Sequence, residues 1–118
     1  MSETYKTIIL PEAQRDIRNI VLYIARELAA PQAAVDLEEA LREEVKSLQK
    51  MPKRIKTVDE QPWKAAGIRR TRVRNYFMYF IVDDEEMAVK VLAVIYVKME
   101  QKKQMDKRRM DNQRKPLP

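Results

Sequence analysis

The segment Val89-Lys90-Val91-Leu92-Ala93-Val94-Ile95-Tyr96 is apolar at every position except Lys90. It is far shorter than the roughly 20 apolar residues a membrane-spanning helix needs. Its β-branched side chains favour a strand. A strand that is apolar on both sides must be covered on both faces, so it belongs at the centre of a sheet. The rest of the chain therefore has to supply neighbouring strands and a covering layer.

The neighbours are visible in the sequence. Ile68 to Val73 and Tyr76 to Asp83 read as two further strands, rich in aromatic and β-branched residues and bounded by turn signals. Arg74-Asn75 forms the tight turn between them, with Asn the residue tolerant of positive φ. Asp83-Asp84-Glu85-Glu86 forms an acidic hairpin turn before the central strand. Near the start, Tyr5 to Leu10 is short and β-branched, a fourth strand.

The covering layer is helical. Pro11 stands at a first helical position, where its missing N–H costs nothing. Ala13, Ile17, Ile20, Ile24 and Leu28 then recur at spacings of three and four, one face of a helix. Arg15, Asp16, Arg18, Asn19 and Arg26 fall mainly on the solvated side. Pro31 opens a second helix with the stripe Ala34, Leu37, Leu41, Val45 and Leu48, and Met51-Pro52 closes it. The glutamates between those stripe positions form a solvated face, with no His or Asp converging on them as a metal site would require. Lys53 to Gly67 is a long connection, with Trp63 expected to plug the core over the sheet edge. The expected fold is α+β: a helical hairpin on one face of a small, mostly antiparallel four-stranded sheet, in the order β-α-α-β-β-β. A single domain spans residues 1–97, and residues 98–118 form a basic C-terminal helix or tail, with Lys98 to Met110 helical and Asn112 to Pro118 frayed.

Composition narrows the chemistry. The 118 residues suit one domain. There is no cysteine and no histidine, so disulfides, His-based acid–base catalysis and zinc chemistry are excluded. No cofactor or metal is expected. The N-terminus carries no signal-peptide pattern, and a cytoplasmic protein away from membranes is the expectation. The net charge is +6; residues from Lys98 onward hold eight basic and three acidic residues, net +5, leaving about +1 on residues 1–97. A basic segment on a near-neutral body suits a nucleic acid or an acidic protein partner.

The most informative stretch is the strand Ile68-Arg69-Arg70-Thr71-Arg72-Val73. Side chains alternate along a strand. Thr71 and Val73 turn toward the helices, so Arg70, Arg72 and, if the strand extends, Arg74 line the open face at intervals of roughly 7 Å. Arginines in a row suit phosphates or acidic side chains. Blunting of an exposed sheet edge is the structural alternative, but it usually relies on lysine. Tyr76, Phe77, Tyr79, Phe80 and Tyr96 lie close by. Some could stack bases, and at least half must be core.

This pattern resembles the RelE/ParE superfamily, toxins of bacterial type II toxin–antitoxin modules, once called plasmid stabilisation proteins. The resemblance rests on the element order, on the segment Gly67 to Val82 and on Val91-Leu92-Ala93-Val94-Ile95-Tyr96. It covers about residues 5–105. It implies a cognate antitoxin that wraps the toxin. It also implies one of two targets: messenger RNA in the ribosomal A site, cut by RelE-like members, or DNA gyrase, poisoned by ParE-like members. Arg70 and Arg72, with Arg74, match the basic alternation of the RelE-like second strand. Elsewhere the RelE-like pattern is not met. Phe77 follows Tyr76 where that pattern has arginine. Met99 stands just beyond the last strand where it has another, and Met105 falls where it has a tyrosine or histidine.

Three readings are open. In the first, slightly favoured, the chain is a ribosome-dependent mRNA endonuclease. Arg70, Arg72 and Arg74 would hold phosphates and stabilise the phosphorane, and Tyr96 or Glu100 would carry protons, because arginines are poor proton carriers. In the second it is a non-enzymatic gyrase-binding toxin. In the third it is a degenerate toxin that only binds its antitoxin. Target contacts are assigned to Arg70, Arg72, Arg74, Lys98 and Lys102.

Overall fold

The structure, a computed structural model, describes residues 4–99. Strand β1 (Lys6–Ile9) leads into helix α1 (Pro11–Leu22), and helix α2 (Pro31–Ser47) comes next. Strands β2 (Arg69–Val73), β3 (Tyr76–Asp83) and β4 (Ala88–Tyr96) complete one sheet. A short helix begins at Val97. The β-α-α-β-β-β order read from the sequence is the observed one. The sheet is mixed, in the order β1-β4-β3-β2, with β1 parallel to β4 and the other two pairings antiparallel. The apolar run lies between β1 and β3, as its two-sided hydrophobicity requires. Among the described residues no helix is long and apolar enough to cross a membrane.

The helical hairpin covers one face. Ala34, Leu37, Leu41, Val45 and Leu48 are all buried, as the α2 stripe requires. Most of that stripe meets Val73, Met78, Phe80, Val89, Val91 and Val94 from the sheet in one apolar cluster. From α1, Ala13 is buried, and Ile17, Ile20 and Ile24 pack against the cluster. Leu28 departs from the expected stripe and is 55% exposed. Residues Tyr23–Glu27 form a π-helical turn, in which Leu28 N–H donates to the Tyr23 carbonyl. That five-residue step inserts an extra residue into the turn and rotates Leu28 off the apolar face. Ala29 then takes φ +49°, the left-handed end more often given to glycine.

Two features of β4 shape the face opposite the helices. A β-bulge lies where Tyr79 pairs with Ala93 but Phe80 pairs with Val91, leaving Leu92 as the extra residue. Val91 and Val94 thus both reach the core, while Leu92 and Ala93 line a cavity on the open face. In addition, β4 outruns β1, whose pairing stops at Val91. The Val94 N–H beyond that point donates to Asp16 Oδ2 of α1 at 3.0 Å. Asp16 therefore lies against the sheet edge, not on the solvated side of α1 where helical periodicity put it. A backbone donor left without a strand neighbour needs some acceptor, and α1 supplies it.

Candidate functional site

The arginine strand β2 is a sheet edge, and its alternation sorts the side chains. Thr71 Oγ1 donates to Glu44 Oε2 of α2 at 2.7 Å, and Val73 is buried, so these residues face the helices. Arg69 shares that side. Its Nη1 donates to the Ile55 carbonyl at 2.5 Å and reaches the Lys53 carbonyl at 3.4 Å. Arg69 thus clamps the start of the long connection to the sheet, assisted by the Thr57–Arg69 bridge and by Val58 N–H donating to the Ile68 carbonyl.

Arg70 and Arg72 project from the open face. The Arg70 guanidinium lies 4.1 Å from the centroid of the Phe77 ring, a cation–π contact that fixes its direction. Arg72 is exposed, and its Nε donates to the Arg74 carbonyl at 2.8 Å. That leaves the outer nitrogens of a planar fork pointing outward. Among the described residues neither guanidinium has a carboxylate within salt-bridge distance. The acids of the β3–β4 turn are occupied elsewhere. Lys53 Nζ meets Asp84 Oδ2 at 2.6 Å, and the Tyr5 hydroxyl donates to Asp84 Oδ1 at 2.9 Å. Lys90 Nζ lies 3.3 Å from Asp83 and 3.5 Å from Glu86. The Lys53 ammonium and then the Tyr5 hydroxyl hold the Asp84 carboxyl below its ordinary value. Asp83 is lowered first by the Glu86 N–H and also by Lys90.

Arg74 does not continue the row. β2 ends at Val73, and Arg74 occupies the hairpin turn with φ +53°. The residue of positive φ is Arg74 and not Asn75, because this two-residue hairpin needs that conformation at its first position. Arg74 lines a groove of about 810 Å³ with Asn75, Tyr76, Tyr96 and Tyr23, on the side of the helices. Tyr96 pairs with Tyr76 across β3–β4, and their rings lie 5.4 Å apart at 48°. Burial, with the neighbouring Tyr96 and Tyr23, raises the Tyr76 hydroxyl above its ordinary pKa. Tyr96 shares the face of Val94 and is therefore separated from Arg70 and Arg72 by the sheet itself. Of the lysines, Lys98 is exposed in the helix that begins at Val97. Lys102, Glu100 and the rest of the basic tail lie outside the described residues.

Trp63 was expected to plug the core; it is 41% exposed instead. The connection folds back over the open face, and Trp63 lines a cavity of about 230 Å³ there with Ile68, Tyr79, Ala93 and Ile95. The connection ends at Gly67, φ +78°, beyond which the chain enters β2. This cavity adjoins the arginine row, since Tyr79 is the cross-strand partner of Arg70. The sequence carried one signal of it, an aromatic residue in a long connection with the only glycine. Among the described residues no group of His, Cys, Asp or Glu could hold a metal ion.

Comparison with known proteins agrees with this architecture. A sequence search of curated proteins returns no match. The family model described as ParE toxin of type II toxin–antitoxin system, parDE, matches residues 7–100. Among solved structures, the chromosomal ParDE toxin–antitoxin system from P. aeruginosa superposes with TM-score 0.66 at 19% identity. That match covers 81% of this chain and 99% of the other. The RelBE2 toxin–antitoxin complex from Mycobacterium tuberculosis gives TM-score 0.57 at 21% identity, over 79% and 98% of the two chains. A free arginine double mutant of the E. coli toxin RelE gives 0.58 at 17% identity, over 83% and 88%. At these identities the structural matches establish a shared fold, and the family model, matching most of the chain, establishes kinship. The chain belongs to the ParE toxin family, within the RelE/ParE superfamily of type II toxin–antitoxin toxins.

Proposed function

We propose that this toxin arrests growth by binding DNA gyrase through its open sheet face, without cutting RNA, and that a cognate antitoxin silences it. The observation that carries this reading is the division of the candidate residues between two faces. Arg70 and Arg72 are on one, Tyr96 and Arg74 on the other. Cleavage of RNA by its own 2′-OH needs a base and an acid within hydrogen-bond reach of the scissile phosphate. Tyr79 shares the arginine face, but its hydroxyl is buried. Among the described residues these two oriented guanidinium groups have no carboxylate within salt-bridge reach and Tyr96 lies across the sheet, which supports reading them as a recognition surface. The match to a parDE family model supports the same target class. The antitoxin is inferred from the ParDE and RelBE2 relatives, each of which is a toxin–antitoxin system.

Cleavage of ribosome-bound mRNA is the second reading. What favours it is the same arginine pair, which has the charge and geometry to hold a phosphorane. Two assays separate the readings. Purified toxin should inhibit gyrase-catalysed supercoiling, and Arg70→Ala/Arg72→Ala should relieve the inhibition. Transcripts mapped on translating ribosomes should stay intact. Codon-position cleavage with unimpaired supercoiling would reverse the assignment.

A further inference from the structure

The cavity beside the arginine row has the dimensions of an anchor site. Its volume, about 230 Å³, falls below the roughly 300–1,000 Å³ of small-molecule sites. It is sufficient for one apolar side chain. The walls are the Trp63 and Tyr79 rings with Ile68, Ala93 and Ile95, and Glu60 is the charged residue among the lining groups. Buried apolar or aromatic anchors of this kind carry most of the energy in protein interfaces.

The spacing adds specificity. Ile68 lines the cavity, and Arg70 and Arg72 succeed it at alternate positions of the same face. Alternate residues of any extended chain are separated by roughly 6.5–7 Å. A segment lying extended over this face repeats at that interval too. We infer that the open face takes an extended acidic segment of a partner protein, one apolar side chain entering the Trp63–Tyr79 cavity and acidic residues two and four positions further on meeting Arg70 and Arg72. The inference rests on the reading of this face as the target-binding surface.

Charge decides among other occupants. The segment from Lys98 onward is net basic, eight basic against three acidic residues, the same sign as the arginines and the wrong one to complement them. The acidic β3–β4 turn of a second copy is already engaged by Lys53, Lys90 and Tyr5.

The test uses the full chain and its only tryptophan, Trp63, as the reporter. The probe is a short peptide with leucine succeeded by glutamate at the second and fourth positions beyond it, in a serine background. Binding should change Trp63 emission and weaken with salt. Moving both glutamates by one position should weaken binding about tenfold, as should Arg70→Ala or Arg72→Ala, since a charge-assisted contact is lost in each case. Ala93→Val, which narrows the cavity without touching charge, should weaken the leucine peptide but not one with alanine as anchor. Equal affinity for the shifted peptide overturns the inference. So does tighter binding of a single-stranded oligonucleotide, or a concentration-dependent dimer that blocks the peptide. Gyrase inhibition measured in parallel keeps the two claims apart. Inhibition without peptide binding removes only the acidic segment, and peptide binding without inhibition removes only gyrase as the target.

Discussion

The contact between Asp16 and the Val94 N–H offers the sharpest test of how the helices are joined to the sheet. Val94 is 3% exposed, and its amide sits on the stretch of β4 that β1 does not reach. Replacing Asp16 with alanine removes the acceptor and leaves that donor unsatisfied, a loss of about 1–3 kcal/mol. Taking about 2 kcal/mol, and roughly 4–8 °C per kcal/mol for a domain near this size, Tm should fall by roughly 10 °C. Asp16→Asn keeps an oxygen acceptor but not the charge, so it should lose about half as much. Arg15→Ala, an exposed neighbour on the same helix, should change stability by no more than about 0.5 kcal/mol. Urea denaturation gives the energies. Amide exchange at Val94 supplies a local readout, with protection lost in Asp16→Ala and largely kept in Asp16→Asn. If Asp16→Ala unfolds within about 0.5 kcal/mol of the parent and its Val94 amide stays protected, the edge does not depend on this carboxylate and the reasoning fails.

Other predictions concern the arginines, the acidic turn and the core. Arg69→Ala should destabilise by about 1–2 kcal/mol, because it frees the carbonyls at the start of the long connection. Arg70→Ala and Arg72→Ala should each stay within about 1 kcal/mol by the same denaturation assay, and a larger loss would make them structural. Asp83 and Asp84 are both held below 3.8 in the folded chain. Their contribution is therefore complete above that pH and is lost as pH falls through the lowered folded values, while the unfolded chain takes up protons first. Thermal melts between neutral and acid pH should show this acid limb, and Asp84→Asn should flatten it. Leu41, fully buried between the two helices and the sheet, should cost about 2–5 kcal/mol on replacement by alanine, read as a lowered urea midpoint.

What the sequence disclosed and what it withheld divide along physical lines. The α2 stripe and the two-sided β4 run could be read because burial imposes a period, and a period survives in one dimension. Leu28 was misplaced because a π turn changes the period midway, and neither Tyr23 nor Glu27 announces an i→i+5 bond. Asp16 was misread for a different reason. Its contact is with a strand 78 residues away, and the need for it arises only because β1 is shorter than β4. Arg74 fell on the wrong face because alternation was carried one residue past the end of the strand, where turn geometry takes over. Trp63 sits in a connection without any period, so its side could not be deduced.

The four arginines of the edge segment show how charge can be organised without being conspicuous in the total. Residues 1–97 carry only about +1 net, a figure that suggests an electrostatically bland body. Several acids packed around the sheet are nevertheless committed away from the arginine row. Glu44 accepts from Thr71 on the helix side, Glu38 meets Arg42 along α2, and the β3–β4 turn is engaged by Lys53 and Lys90. Arg69 is engaged by two backbone carbonyls, and Arg74, in the hairpin turn, lines the groove on the side of the helices. Of the four, Arg70 and Arg72 are left without a carboxylate in salt-bridge reach among the described residues, on the open face, oriented by Phe77 and by the Arg74 carbonyl. An oriented pair of such guanidinium groups beside an apolar cavity loses little conformational freedom on meeting acidic groups. The field that matters for recognition is thus set by where the acids are held, and the net charge of the domain does not reveal it.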